Sequence, residues 1–387
     1  MRKLFLIFPL LFILTGCYNY HELNDLAIVS AMSISKSNDS YHIAIQVVNT
    51  VKEQDATSSD EPSFITYKAS GKSLQKAFSN IIKDTPKKIY GNQMQLLIID
   101  EGLAREGISD ILDFLARDPN IRNEFYVAIG RDKDILDVLT PLDNVSGKNI
   151  LDKLKASNED LGIANMVTFN DLIANFQNKN IEVALPTIKI EGNRSEDDVK
   201  SDLEESFPDK RIVISNLSIF KNNKLLGYLN ERESLAYNFI MDNITHAIIV
   251  NKYKNSSYIA LELINSKTKK DIDIKNKLVK INIKGKASIT ESNYNINLTN
   301  EENIKKIEKD LNKNIEKIIK ESIDNNASKY SSDIYGFKEM CYKSSPKYYK
   351  KVYKEWDKDL FNNIKVKVKS DIEIVEQGNL LGGIKHE

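Results

Sequence analysis

Between residues 304 and 374 the apolar side chains change period once, and that change restricts the fold more than any other feature of the chain. Ile304, Ile307, Leu311, Ile315, Ile318, Ile319 and Ile323 recur at three- and four-residue spacing, the stripe of an amphipathic helix. Thr299 and Glu302 have capping-box spacing and are expected to open it. Ile364, Val366, Val368, Ile372 and Ile374 then alternate with Lys365, Lys367, Lys369, Asp371 and Glu373, the pattern of a strand with one buried face. A striped helix followed by a one-faced strand belongs to a layered α/β or α+β domain.

The first half has a different texture. Strands are expected at 26–34, 41–48, 64–69, 96–99 and 125–129, with a turn through residues 37–40 and a polar loop at 52–63. One helix is expected through Leu74, Phe78, Ile81 and Ile82, ending at Asp84-Thr85-Pro86. A second runs through Leu103, Ile108, Ile111, Leu112 and Leu115, ending at Arg117-Asp118-Pro119. Strands that alternate with helices suggest an α/β sheet, with 96–99 and 125–129 central. Later strands are expected at 212–220, 225–229, 247–250 and 277–288, with a helix at 234–244. The fold class is therefore α/β to α+β, multidomain, with mixed sheets and flanking helices.

A length of 387 residues favours two or three domains. Glu191, Glu196, Asp197, Asp198, Asp202, Glu204, Glu205 and Asp209 crowd together with few apolar neighbours, as in a solvated linker. Their spacing fits no calcium loop. The expected division is 17–195 for an N-terminal domain, 196–210 for the acidic linker and 211–387 for a C-terminal domain. If the last divides into subdomains, it does so near 265–275. The 55 Lys and Arg balance 55 Asp and Glu, so no broad basic surface for nucleic acid is implied.

The first 17 residues bear on location. Arg2 and Lys3 precede an apolar run over 4–14, too short to span a bilayer, and Leu14-Thr15-Gly16-Cys17 follows. This order resembles a bacterial lipoprotein signal, cleaved after residue 16 with Cys17 carrying the lipid. Two acyl chains on one cysteine suffice for stable membrane attachment. Cys341 is then left without a disulfide partner and reads as a small packed side chain.

No catalytic constellation, cofactor motif or metal-ligand set stands out. The four histidines are His21, His42, His246 and His386, and His21-Glu22 lacks the second histidine of a zinc-peptidase helix. No P-loop, nucleophile elbow, GxGxxG or CxxC occurs. Lys343 to Lys354 holds five lysines and no acid, interleaved with Tyr348, Tyr349 and Tyr353. Tyr349, Tyr353, Trp356 and Leu360 lie at helical spacing, so a packed helix is favoured over a membrane, partner or nucleic-acid surface.

Several blocks resemble the Ger(x)C family, the C-subunit lipoproteins of bacterial spore nutrient germinant receptors. Cys17-Tyr18-Asn19 stands where members usually read Cys-Trp-Asp, and Glu22-Leu23 and an apolar strand follow. Further blocks are Ser70-Gly71-Lys72-Ser73-Leu74, Gly91-Asn92-Gln93-Met94-Gln95, Leu103-Ala104-Arg105-Glu106-Gly107 and Leu112-Asp113-Phe114-Leu115-Ala116-Arg117-Asp118, with Ile121-Arg122 just after. Members usually have His where Asn92 or Gln93 stands, so that position is given no role. Later come Leu217-Ser218-Ile219-Phe220, Leu225-Leu226-Gly227-Tyr228 and Ser332-Asp333-Ile334-Tyr335-Gly336-Phe337, then Trp356 and Phe361 before the terminal strand.

The resemblance implies a non-enzymatic subunit without a cofactor, lipid-anchored through Cys17 on the outer face of the spore inner membrane. It implies assembly with A and B membrane subunits in nutrient-triggered germination. Arg105, Arg117 and Arg122 lie in family-like blocks without an evident core role and are the candidate partner-binding residues; the plainer reading pairs Arg117 and Arg122 with local carboxylates such as Asp113 and Asp118, or with helix-end carbonyls. A solute-binding lipoprotein of an importer is the alternative. It would need two doubly wound lobes around a cleft, which the final helix and strand match poorly.

Overall fold

The computed structural model describes residues 25–49, 63–131, 147–191, 211–254, 256–356 and 361–376. In the first sheet, β1 (Leu26–Ser37), β2 (Ser40–Val48) and β3 (Phe64–Gly71) are antiparallel neighbours. On its other side β1 pairs in parallel with β4 (Lys88–Tyr90) and β5 (Leu96–Asp100). Parallel pairing continues to β6 (Tyr126–Gly130) and β7 (Ala184–Glu191). The antiparallel strands β8 (Arg211–Lys221) and β9 (Lys224–Tyr228) close the order β3-β2-β1-β5-β6-β7-β8-β9, with β4 beside β1.

β5 and β6 are central, as their apolar runs imply, because both faces of the sheet are covered. Leu97, Ile99, Val127 and Ile129 face α1 (Leu74–Asp84), α2 (Glu101–Glu106) and α3 (Ser109–Ala116). Leu96, Ile98 and Ala128 face α4 (Gly147–Glu159) through Ile150 and Leu154. Gly147 starts α4 so close to β1 that a Cβ there would lie 2.3 Å from the Ala31 methyl. Its N–H donates to Gln46 Oε1 at 2.7 Å. Helix α5 (Phe169–Gln177) adds Phe169, stacked on Phe125.

The second sheet has the order β10 (Ala247–Lys252), β11 (Tyr258–Asp273), β12 (Leu278–Ser292), β13 (Lys365–Glu376). Its first two pairings are antiparallel and β12–β13 is parallel. Val279, Ile281 and Ile283 of β12 share a core with Ile307, Leu311, Ile315 and Ile323 of α7 (Glu301–Tyr330), as the stripe predicts. Helix α6 (Glu231–Ile240) and Ala184, Leu217 and Ile219 of the first sheet join the same core.

Helix α7 also closes one edge of this sheet. Glu308, Asn312 and Glu316 recur every four residues and accept the N–H groups of Ile374, Ile372 and Ser370 at 2.9, 2.8 and 2.9 Å. A helix advances about 6 Å in four residues and a strand about 6.6 Å in two, so helical side chains can serve a strand edge in register. That edge is therefore blocked to further pairing.

The structure bears on several expectations. The acidic segment lies mostly outside the described residues, but Glu191 and Arg211 on either side of it are paired, so β8 and β9 belong to the first sheet. The expected linker at 196–210 thus joins two neighbouring strands. The suggested division near 265–275 falls largely within β11, which pairs with β12 along most of its length. The single helix expected through residue 115 is two, broken at Gly107 (φ +134°). Asn300 rather than Thr299 caps α7: its side chain accepts from Glu302 N–H at 2.8 Å, while Thr299 bonds to Asn297. Helices α4 and α5 and the long strand β11 were not expected: polar residues dilute the stripe of α4 and the second half of β11, whereas α5 does carry Phe169, Leu172, Ile173 and Phe176 at helical spacing behind a Thr168–Asp171 capping box.

Candidate functional site

Cys17 lies outside the described residues. No described helix is long and apolar enough to cross a membrane.

Arg105 is built into a junction between elements. The Asp100 carboxylate caps α2 by accepting from Gly102 and Leu103 N–H at 2.8 and 3.2 Å. Burial raises its pKa, and those two bonds oppose the rise. One turn on, Arg105 donates to Glu101 Oε1 at 2.7 and 3.0 Å and to the Leu226 carbonyl of β9 at 3.4 Å. Its guanidinium lies 6.0 Å from the Tyr228 ring, and Arg131 lies 4.4 Å from it. Burial, with the nearby Glu101 carboxylate, pushes the Tyr228 hydroxyl well above its ordinary range. Arg105 therefore ties α2 to β9. No spacing in the sequence pointed to Arg131 or Tyr228 as its companions.

Arg117 and Arg122 sit in other surroundings. Arg117 donates to Asp113 Oδ2 at 2.8 Å across one helical turn, and its side chain is 76% exposed. This bond holds the Asp113 carboxyl below its ordinary range. Arg122 donates to Glu124 at 2.9 Å, whereas Asp118 accepts from Asn120. Arg117 lines an open groove of about 590 Å³ with Tyr41, Leu74, Asp110 and Phe114. The three arginines thus have separate partners and do not form one cluster.

The segment 332–337 is a buried node between the sheets. Ser332 donates to the Phe220 carbonyl at 2.6 Å, and the Asp333 carbonyl accepts from Glu182 N–H at 3.1 Å. The Asp333 carboxylate caps α8 (Phe337–Ser344), accepting from Phe337 and Lys338 N–H at 3.0 and 2.6 Å, and from Trp356 Nε1 at 3.2 Å. Burial raises its pKa to about 6 despite these donors. Lys270 nearby donates to the Tyr335 carbonyl at 3.1 Å, and burial lowers its pKa. Both groups move toward neutrality, so desolvation outweighs their attraction.

The lysine- and tyrosine-rich segment forms α9 (Pro346–Val352), which has no fully buried residue. Tyr349 is half-buried and hydrogen-bonds Asn180, which in turn donates to Glu339 at 3.0 Å. Trp356 is buried. The packed reading fits Tyr349 and Trp356, although the helix ends before Tyr353. Cys341 is buried in the core.

Comparison with known proteins places this architecture. Residues 19–190 match the model of a spore germination protein N-terminal domain, and 215–378 match a spore germination B3/GerAC-like C-terminal domain. Spore germination protein KC of Bacillus subtilis (strain 168) is 25% identical over 97% of this chain and 95% of its own. Spore germination protein B3 of the same organism is 23% identical over 98% of each. The crystal structure of the GerBC protein shares the fold, with a TM-score of 0.58 and 19% identity over 89% of this chain and 96% of that one. The chain belongs to the Ger(x)C family of germinant-receptor C subunits.

Proposed function

We propose that this chain is a lipid-anchored C subunit of a spore germinant receptor and acts by binding rather than catalysis. Its place is the outer face of the spore inner membrane, where it assembles with the A and B membrane subunits during nutrient-triggered germination. The observation that carries the reading is the ordered match of both family halves across the chain, behind a signal ending at Cys17. The anchor supplies membrane residence that the described helices do not. The two family halves remain the proposed functional division, with the acidic segment as their junction.

Cys17→Ala tests the anchor. The variant should remain uncleaved after residue 16 and carry no diacylglyceryl group, while the wild-type mature protein should begin at a lipid-modified Cys17. An unmodified wild-type N-terminus at another residue, read by mass spectrometry, would remove the anchor from this account.

A further inference from the structure

The two edges of the second sheet are treated differently. β13 is closed by Glu308, Asn312 and Glu316 of α7. Among the described residues β10 pairs only with β11. His246 N–H points away from β11 and donates to the Glu159 carbonyl at 3.1 Å, whereas Tyr253 N–H donates inward to Ser257 at 2.7 Å. Backbone direction alternates along a strand, so the N–H and C=O groups of Ile248, Val250 and Lys252 face outward. Among the described residues none of these groups has a partner.

Two of the three outward residues of this edge, Ile248 and Val250, carry apolar and uncovered side chains, and the third is Lys252. Ile248 is 55% exposed and Val250 43%, with exposed Leu161 alongside. Between β10 and helices α6 and α7 lies an open groove of about 960 Å³. Its walls carry Arg232, Lys252, Lys313 and Lys317 against Glu231 and Asp310, an excess of cations. An exposed apolar edge strand beside a groove is a pairing template that proteins usually blunt, and this chain blunts the opposite edge of the same sheet.

We propose that β10 receives an extended segment of a partner polypeptide, added as a fifth strand, with apolar residues at alternate positions and acidic residues toward the α7 wall. The pairing continues what Glu159 begins at His246: main-chain hydrogen bonds give affinity and the groove selects side chains. A second copy of this chain is the poorer occupant. Two-fold pairing would set the same cations face to face.

This surface deepens the receptor reading and rests on it for the partner's identity. Val250→Cys can be labelled with a maleimide in native spore membranes and in the purified full chain alone, with exposed Lys224→Cys as reference. Labelling of the thiol introduced at position 250, relative to the reference, should fall about tenfold in the membranes, as for an interface that covers the edge. Val250→Pro deletes an outward N–H that bonds nothing among the described residues, so the fold should persist. Co-purification with the A and B subunits should fall about tenfold. Equal labelling of Val250→Cys in both preparations, or a folded Val250→Pro chain that assembles like wild type, would overturn the proposal. If Val250→Pro fails to fold, the labelling ratio alone decides. Protection of the introduced thiol in membranes where the wild-type chain brings down neither A nor B would keep the edge occupied and overturn the receptor reading instead.

Discussion

The first sheet buries both faces, whereas the second buries one. In the first, Leu96 and Ile98 point to α4 while Leu97 and Ile99 point to α1, α2 and α3. In the second, alternate residues of β12 and β13 meet α7, and the outer face carries Lys280, Lys284, Lys286, Lys365, Lys367 and Lys369. Lys280 stands directly opposite Lys367 in the ladder, a like-charge pairing that opposes strand association. Stability is therefore concentrated in the first sheet and beneath α7. The outer face and open edge of the second sheet are freer to serve contacts outside the chain.

The largest expected effect tests that division directly. Ile99 is fully buried between β5 and the helices, and Ile99→Ala should cost about 4 kcal/mol through lost transfer and a residual cavity. Lys367→Glu on the outer face should cost no stability, because it turns the Lys280 contact from repulsive to attractive. Urea unfolding followed by Trp356, the single tryptophan, measures both. A comparable loss from the two substitutions would mean that the outer face is part of the stabilised core.

The node between the sheets should respond to pH. Asp333 has an ordinary value near 4 that burial raises to about 6, so between those values the folded state holds more protons than the unfolded one. Unfolding free energy from this group is then greatest below about pH 4 and declines as pH rises to about 6, by at most about 3 kcal/mol. Asp333→Asn should flatten the decline, since its amide does not ionise, although it loses one of the carboxylate oxygens that serve Phe337, Lys338 and Trp356. An unchanged pH profile in the variant would show that another group produces the slope.

The two edges of the second sheet give the next contrast. Asn312→Ala leaves the Ile372 N–H and the Ser370 hydroxyl without their acceptor and should cost about 2 kcal/mol. At the open edge, Val250→Pro should cost far less, because no bond among the described residues is removed. Equal destabilisation would mean that β10 is held by contacts beyond those to β11.

Much of this architecture was legible in the sequence, for reasons that differ between the sheets. Period-two alternation marked β13 and period 3.6 marked α7 because each has one wet face. The runs at 96–99 and 125–129 marked central strands because neither face is wet. Hidden were contacts that depend on three-dimensional register. Glu308, Asn312 and Glu316 look like the polar side of any amphipathic helix, yet they serve as acceptors for a strand 54–66 residues away. Polar residues in α4, such as Lys148, Asn149, Asp152 and Lys153, diluted its apolar stripe. Of the candidate site, Arg117 with Asp113 was legible as an (i, i+4) pair. Arg105 with Tyr228 joins residues distant in sequence and carries no local signature.

Arg117 gives the smallest stability effect and a second test of where partners bind. Its side chain is exposed and paired only with exposed Asp113 among the described contacts, so Arg117→Ala should leave the urea midpoint unchanged. Arg117→Glu sets two acids one helical turn apart beside Asp110 at the rim of the groove. A rim charge acts mainly through long-range attraction, so its reversal should weaken co-purification with the A and B subunits less than Val250→Pro does. The difference between Arg117→Glu and wild type should shrink at high ionic strength, because exposed charges are screened over distances near 10 Å at about 0.1 M salt. Nutrient-triggered germination should weaken in parallel, while a receptor-independent trigger should still work. A folded Arg117→Glu chain with normal assembly and response would leave Arg117 as a local helix partner of Asp113, with the open edge of β10 as the remaining candidate surface.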